Sequence, residues 1–185
     1  MANAVLLLFL SAYNKSTNLI KYMYGDKTYC GLQTNDAAVD CLCDSAGNKD
    51  RITKVICLCS QMVYSEKHET EEGTKTQFER FKDRISKKIP GADVVPIYYD
   101  FEIKDDGEIS EIEKDEDRSK SIYLQVSEEL KDLKGYNVYM DCTGGLRDTS
   151  FLLVSIIRYM EYGGINLKKI IYAEWKKGTT EGKIH

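Results

Sequence analysis

The stretch Tyr136-Asn-Val-Tyr-Met-Asp-Cys-Thr-Gly-Gly-Leu-Arg-Asp-Thr-Ser-Phe151 decides the fold. It reads as a buried strand to Asp141, then a glycine-bearing polar loop, then an apolar helix to about Tyr162. A strand that ends in Asp-x-Thr-Gly-Gly and turns straight into a helix places small residues and free backbone N–H groups at the carboxyl edge of a sheet. In open α/β sheets that edge is where ligands bind. A helix start at the same place favours phosphate or another anion.

Working outward, residues 4–12 form a continuous apolar run suited to a central parallel strand buried on both faces. The aromatic residues around Gly25-Asp26 suggest a β-hairpin inserted at residues 19–32. Thr34 or Asn35 caps a helix over 36–45, and Gly47 stops it. A second buried strand follows at 53–60, then a polar, Glu-rich loop at 64–73. Phe78, Phe81 and Ile85 recur at helical spacing within 74–89. A third strand spans 93–99, and the acidic run 100–117 reads as an exposed hairpin or loop. Ile122, Val126, Leu130 and Leu133 stripe a helix from about 119 to 134, and residues 167–175 give a fifth strand. Strands alternating with helices imply a parallel sheet. The expected fold is α/β, a Rossmann-like three-layer domain with a mainly parallel central sheet and the inserted hairpin. Residues 1–175 make the domain. Residues 176–185 read as a polar tail without a core of its own, the start of a linker in a chain cut from a longer protein.

The 185 residues are 42% apolar and 30% charged, with Pro at only 2 and Gly at 13, a folded composition with core enough for one domain. The net charge of −4 excludes a nucleic-acid sleeve, so a bound polyanion must be held by local donors and one or two cations. The 6 cysteines sit mostly in apolar runs and read as reduced, buried thiols of a cytoplasmic protein. A metal site from Cys41-x-Cys43 and Cys57-x-Cys59 is disfavoured, because residues two apart on a helix point about 200° apart. The run 4–10 is too short to span a bilayer and lacks a basic flank and a cleavage site.

Three strand ends are expected to meet along one edge. They are Ser11-Ala12-Tyr13-Asn14, Ser60-Gln61 and Thr143-Gly144-Gly145-Leu146-Arg147-Asp148. Gly144 and Gly145 allow close backbone approach, or simply a tight turn. The N–H groups of Leu146, Arg147 and Asp148 begin a helix without internal acceptors. Arg147 offers a forked cationic donor for phosphate, or an ion pair with Asp148 or Asp141. Thr143, Ser11 and Asn14 add short hydrogen-bonding groups, while Tyr13 can stack on a base or fill the core. Asp141 reads as an acceptor that organises its loop. Glycine-rich dinucleotide and phosphate-loop fingerprints are absent. The only histidines are His68, in a polar loop, and His185, the last residue, which argues against a nucleophile–His–acid triad.

The motif Asp141-Cys-Thr-Gly-Gly-Leu-Arg147 resembles the Asp-x-Thr-His-Gly-[Phe/Pro]-Arg signature of CRISPR-associated Rossmann fold (CARF) domains, in the group named for that DxTHG motif. The amino-terminal half agrees with it: Leu6-Leu-Leu-Phe-Leu-Ser-Ala-Tyr-Asn14, a Tyr-rich hairpin, then Gln33-Thr-Asn-Asp-Ala-Ala38 at the helix start. Gly144 stands where the named motif has His, which removes a side chain that could assist catalysis. The resemblance implies a homodimer whose two sheet edges share one two-fold pocket. The implied ligand is a cyclic oligoadenylate, cyclic tetra-adenylate before hexa-adenylate, made by type III CRISPR complexes. No metal, other cofactor, membrane or DNA contact is implied for the domain. The leading expectation is a sensor that controls an effector domain beyond residue 185. A second is a metal-independent ring nuclease with Ser11, Asn14 and Arg147 positioning the ribose 2′-OH for attack. A third is another nucleotide-binding Rossmann-like enzyme or interaction module.

Overall fold

The computed structural model describes residues 1–12, 19–70, 73–143, 150–175 and 179–185. In chain order the elements begin with β1 (Ala2–Phe9), the hairpin β2 (Ile20–Tyr24) and β3 (Lys27–Gly31), α1 (Thr34–Ala46) and β4 (Asp50–Cys59). There follow α2 (Gln61–Ser65), β5 (Lys67–Thr70), β6 (Gly73–Thr76), α3 (Gln77–Lys88) and β7 (Asp93–Tyr98). The last group is β8 (Phe101–Ile103), β9 (Ile109–Glu111), α4 (Asp115–Leu130), β10 (Asn137–Asp141), α5 (Ser150–Tyr162), β11 (Asn166–Ile171), β12 (Ala173–Trp175) and β13 (Glu181–Ile184).

Five strands form one parallel sheet in the order β11-β10-β1-β4-β7. β1 lies at its centre, where an unbroken run from Ala4 to Leu10 can be buried on both faces. Period-two alternation then splits that run between two cores. Ala4, Leu6 and Leu8 pack with Ala38 and Leu42 of α1 and Phe81 and Ile85 of α3. Val5, Leu7 and Phe9 pack with Ile122, Val126 and Leu130 of α4 and Ile156 and Met160 of α5. The expected three-layer α/β architecture is therefore present. β7 carries Pro96 on the free edge of the sheet, where a missing N–H costs no ladder bond. No helix among the described residues is long and apolar enough to cross a membrane.

A second sheet, β12-β13-β2-β3, stands beside the first and includes the expected hairpin. Two sequence expectations change here. The tail is not without structure at its end: β13 lies between β12 and β2, antiparallel to the first and parallel to the second, and Ile184 is buried. The reason is a close contact. Tyr22 is fully buried, and a Cβ on Gly182 would meet its ring at 2.5 Å, so glycine lets the last strand lie flat on the tyrosine. The single strand expected over 167–175 is also divided at Tyr172. β11 pairs with β10 in the first sheet, and β12 pairs with β13 in the second.

Other differences are local. The segment expected as a Glu-rich loop at 64–73 instead overlaps the end of α2 and the hairpin β5–β6, which continues to Thr76. The acidic run holds the hairpin β8–β9, the first of its two expected forms. The fourth helix starts earlier than its apolar stripe, at Asp115. α3 starts at Gln77, because Thr76 and Glu79 form a reciprocal cap: Glu79 N–H donates to Thr76 Oγ1 at 3.1 Å, and Thr76 N–H donates to Glu79 Oε2 at 2.8 Å. Thr76→Ala is expected to cost about 1 kcal/mol of unfolding free energy, read by urea denaturation. An unchanged midpoint would show that the cap contributes nothing. α3 also pairs with α1 through Arg84 and Asp36 at 2.9 Å and through Lys88 and Asp40.

Candidate functional site

The strand order reverses between β1 and β10. From β1 the chain winds outward through β4 to β7, then returns to β10 on the other side and continues to β11. In an open parallel sheet such a reversal opens a crevice at the carboxyl ends of the two strands, because their following segments leave towards opposite sides. The backbone shows the parting. Leu10 N–H donates to Leu58 O on the β4 side, at 2.9 Å, and Cys142 N–H donates to Ile171 O on the β11 side, also at 2.9 Å.

α1 begins over this crevice. Gly31 makes that placement possible, since a Cβ there would lie 2.6 Å from Gln33 O and 2.9 Å from Asp36 Cβ. The N-cap is Gln33, one residue before Thr34 and two before Asn35, the caps expected from the sequence, so the helix starts at Thr34. Gln33 N–H donates to Asp36 Oδ2 at 3.1 Å, while Thr34 Oγ1 receives the Tyr22 hydroxyl at 3.3 Å. Asn35 is thereby freed to point inward, where it is fully buried.

Asn35 uses every hydrogen-bonding group it has. Its Oδ1 accepts from Ser11 N–H at 2.8 Å, and its Nδ2 donates to Phe9 O at 2.9 Å and to Asp141 Oδ2 at 2.8 Å. The other Asp141 oxygen, Oδ1, accepts from Thr143 N–H at 2.8 Å, and Thr143 Oγ1 accepts from Ala173 N–H at 2.7 Å. One buried chain of hydrogen bonds thus joins β1, α1, β10 and β12. Burial pushes the Asp141 carboxyl up to about 6, against the opposing pull of the Thr143 hydroxyl and amide and the Asn35 amide. Burial also pushes the Cys142 thiol up to about 12, with Asp141 adding to the rise, so Cys142 is a poor nucleophile at neutral pH.

Ser60 and Gln61 lie at the end of β4 on the same edge, but their bonds run to other partners. Ser60 caps the short α2 through Val63 N–H at 3.4 Å, and Gln61 N–H donates to Asp100 Oδ1 at 2.8 Å. Burial raises the Asp100 carboxyl, and the Gln61 amide works against that rise. Of the residues expected at the site, Ser11 and Thr143 are brought into one network, Ser60 and Gln61 stand beside it, and Ala12 is exposed. Tyr13, Asn14, Gly144, Gly145, Leu146, Arg147 and Asp148 lie outside the described residues. Asp141 is the loop-organising acceptor that its motif suggests.

Sequence reasoning missed the central residue. Asn35 reads as a cap, and nothing local distinguishes a capping Asn from one that turns inward. Its position on α1 over the crevice is the only signal, and it exists only once the hairpin and sheet are in place. Among the described residues no group of three or more His, Cys, Asp or Glu side chains could hold a metal ion, and all six cysteines are free. Cys41 is buried while Cys43 is half-buried, as their opposed directions on α1 require. No protein-family model matches the chain, and no curated protein matches it in sequence.

Proposed function

We propose that the crevice between β1 and β10 binds a cyclic oligoadenylate and that the chain is a sensor of that second messenger in type III CRISPR defence. The observation that carries this reading is the reversal of strand order at β1 and β10, with Ser11 and Thr143 held on its two sides by Asn35 and Asp141. The resemblance of Asp141-Cys-Thr-Gly-Gly-Leu-Arg147 to the CARF signature supplies the ligand class. A ring of linked adenylates needs repeated phosphate cradles and hydrogen-bonding groups for its riboses. A two-fold homodimer offers each such group twice and matches the symmetry of the ring. The net charge of −4 is compatible with this, because a few backbone amides and one cation such as Arg147 in each subunit would act locally. Ring binding would then bias the geometry of the dimer and through it an effector.

Calorimetry with tri-, tetra- and hexa-adenylate rings tests the reading. One ring per two chains is expected, with cyclic tetra-adenylate the tightest. Arg147→Ala is expected to lose binding while the fold is kept. Mononucleotide or dinucleotide binding without ring binding would overturn the proposal.

A further inference from the structure

The ladder between β1 and β10 ends at the pair Leu8 and Asp141, and beyond it the backbones part towards β4 and β11. Yet Phe9 C=O and Ser11 N–H, which flank Leu10 on the β10 side, are not left open. The Asn35 carboxamide meets both: it donates to Phe9 O and accepts from Ser11 N–H. Those are the two bonds that one more residue of a parallel neighbour would make. The side chain of α1 therefore stands in for the next rung of the ladder, and its second amide hydrogen binds the true end of β10 at Asp141. Asp141 in turn orients the departing chain through Thr143 N–H.

We infer that Asn35 and Asp141 are positioning residues that hold the chain leaving β1 at Ser11 and the chain leaving β10 at Thr143 in one fixed register, so that the two sides of the crevice respond together. The inference deepens the proposed function and rests on it for the crevice being the ligand site. Both side chains are fully buried, so they act through Ser11 and Thr143 and not by touching a ligand. Asparagine is the residue that this place requires. The rung needs one acceptor and one donor on a planar group, and the link to Asp141 needs a second donor. Aspartate would lack both donors, and alanine would take a partner from three groups, Ser11 N–H, Phe9 C=O and Asp141 Oδ2.

The test is hydrogen exchange of the Ser11 and Thr143 backbone amides, followed by NMR. Each substitution should accelerate the amide it does not touch. Asn35→Ala is expected to speed Thr143 exchange at least ~10-fold although Asp141 remains its acceptor, and Asp141→Ala to do the same at Ser11. Tyr139→Phe removes a 2.6 Å bond to Asp50 at the opposite edge, and it should leave both amides unchanged. If Asp141→Ala does not fold, Asp141→Asn, of equal size, is measured in its place. Acceleration confined to the amide that each substitution touches would overturn the inference. Cyclic tetra-adenylate is then titrated into wild type and Asn35→Ala, with weaker binding by about 10-fold or more expected for the variant. Wild type that fails to bind the ring would overturn the proposed function alone, because the exchange measurement needs no ligand.

Discussion

Asp141→Ala is expected to lower the unfolding free energy by about 3 kcal/mol, since it leaves the Thr143 N–H and one Asn35 amide hydrogen buried without an acceptor. The cost of the buried ion itself is separable by pH. The Asp141 carboxyl is raised by burial from 3.8 to about 6, so between those values the folded chain holds a proton that the unfolded chain has released. The stability contributed by this group is therefore complete below about pH 4 and declines as pH rises to about 6, by roughly 3 kcal/mol for a shift of about two units. Asp141→Asn keeps the size and removes the titration. In urea denaturation series the stability of wild type relative to Asp141→Asn should rise as pH falls from 7 to 4. Parallel pH profiles for the two proteins would refute the buried-carboxylate account. Asp44 and Asp50 work in the opposite sense, because hydrogen bonds from Lys27 and Tyr139 respectively lead in holding their carboxyls below the usual range. Subtracting the two profiles removes their contribution, which both proteins share.

Gly182→Val is expected to dismantle the second sheet. The added Cβ would lie 2.5 and 2.6 Å from Tyr22 ring carbons and 2.7 Å from Glu174 O. Tyr22 cannot retreat, because it is fully buried and its hydroxyl reaches Thr34 at the start of α1. Nor can β13 move away without leaving both neighbours, since it pairs on each side. Overpacking of this kind costs about 3 kcal/mol or more when neither partner can shift. Trp175 is the single tryptophan, and it pairs with Gly182 across β12 and β13, so its fluorescence reports the event directly. Emission should shift to the red well below the temperature of the main unfolding transition. A wild-type spectrum in the folded variant would contradict the packing described.

The strands that could be read from residues alone are those whose burial is symmetric. β1 and β4 in their later residues, and β10 throughout, are buried on both faces. The apolar runs of β1 and β4 need no tertiary information to be recognised or to suggest a parallel sheet. The hairpin β2–β3 was equally legible, because its turn and aromatic flanks are local. The parts that escaped depend on a distant partner. Glu181-Gly-Lys-Ile184 carries one large apolar residue and a glycine, a pattern no period would select, and it is a strand because Tyr22 lies beneath it. Tyr172 interrupts an otherwise strand-like run because β13 arrives there, with His185 and Tyr172 exchanging backbone bonds.

For the candidate site the division is similar. Residue types at 136–143 marked a buried strand that ends at Asp141 and is followed by Thr143, and alternation of strands with helices put that end on the carboxyl edge. Hydrophobic period and turn chemistry suffice for that much, since both are properties of neighbouring residues. Which strands flank the crevice, and which residue spans it, were decided only by tertiary structure. Asn35 lies 106 positions from Asp141 in the chain, and its three bonds exist only when α1 crosses the point where β1 and β10 diverge. A buried polar side chain is specified by the partners that surround it, and those partners are assembled by the fold.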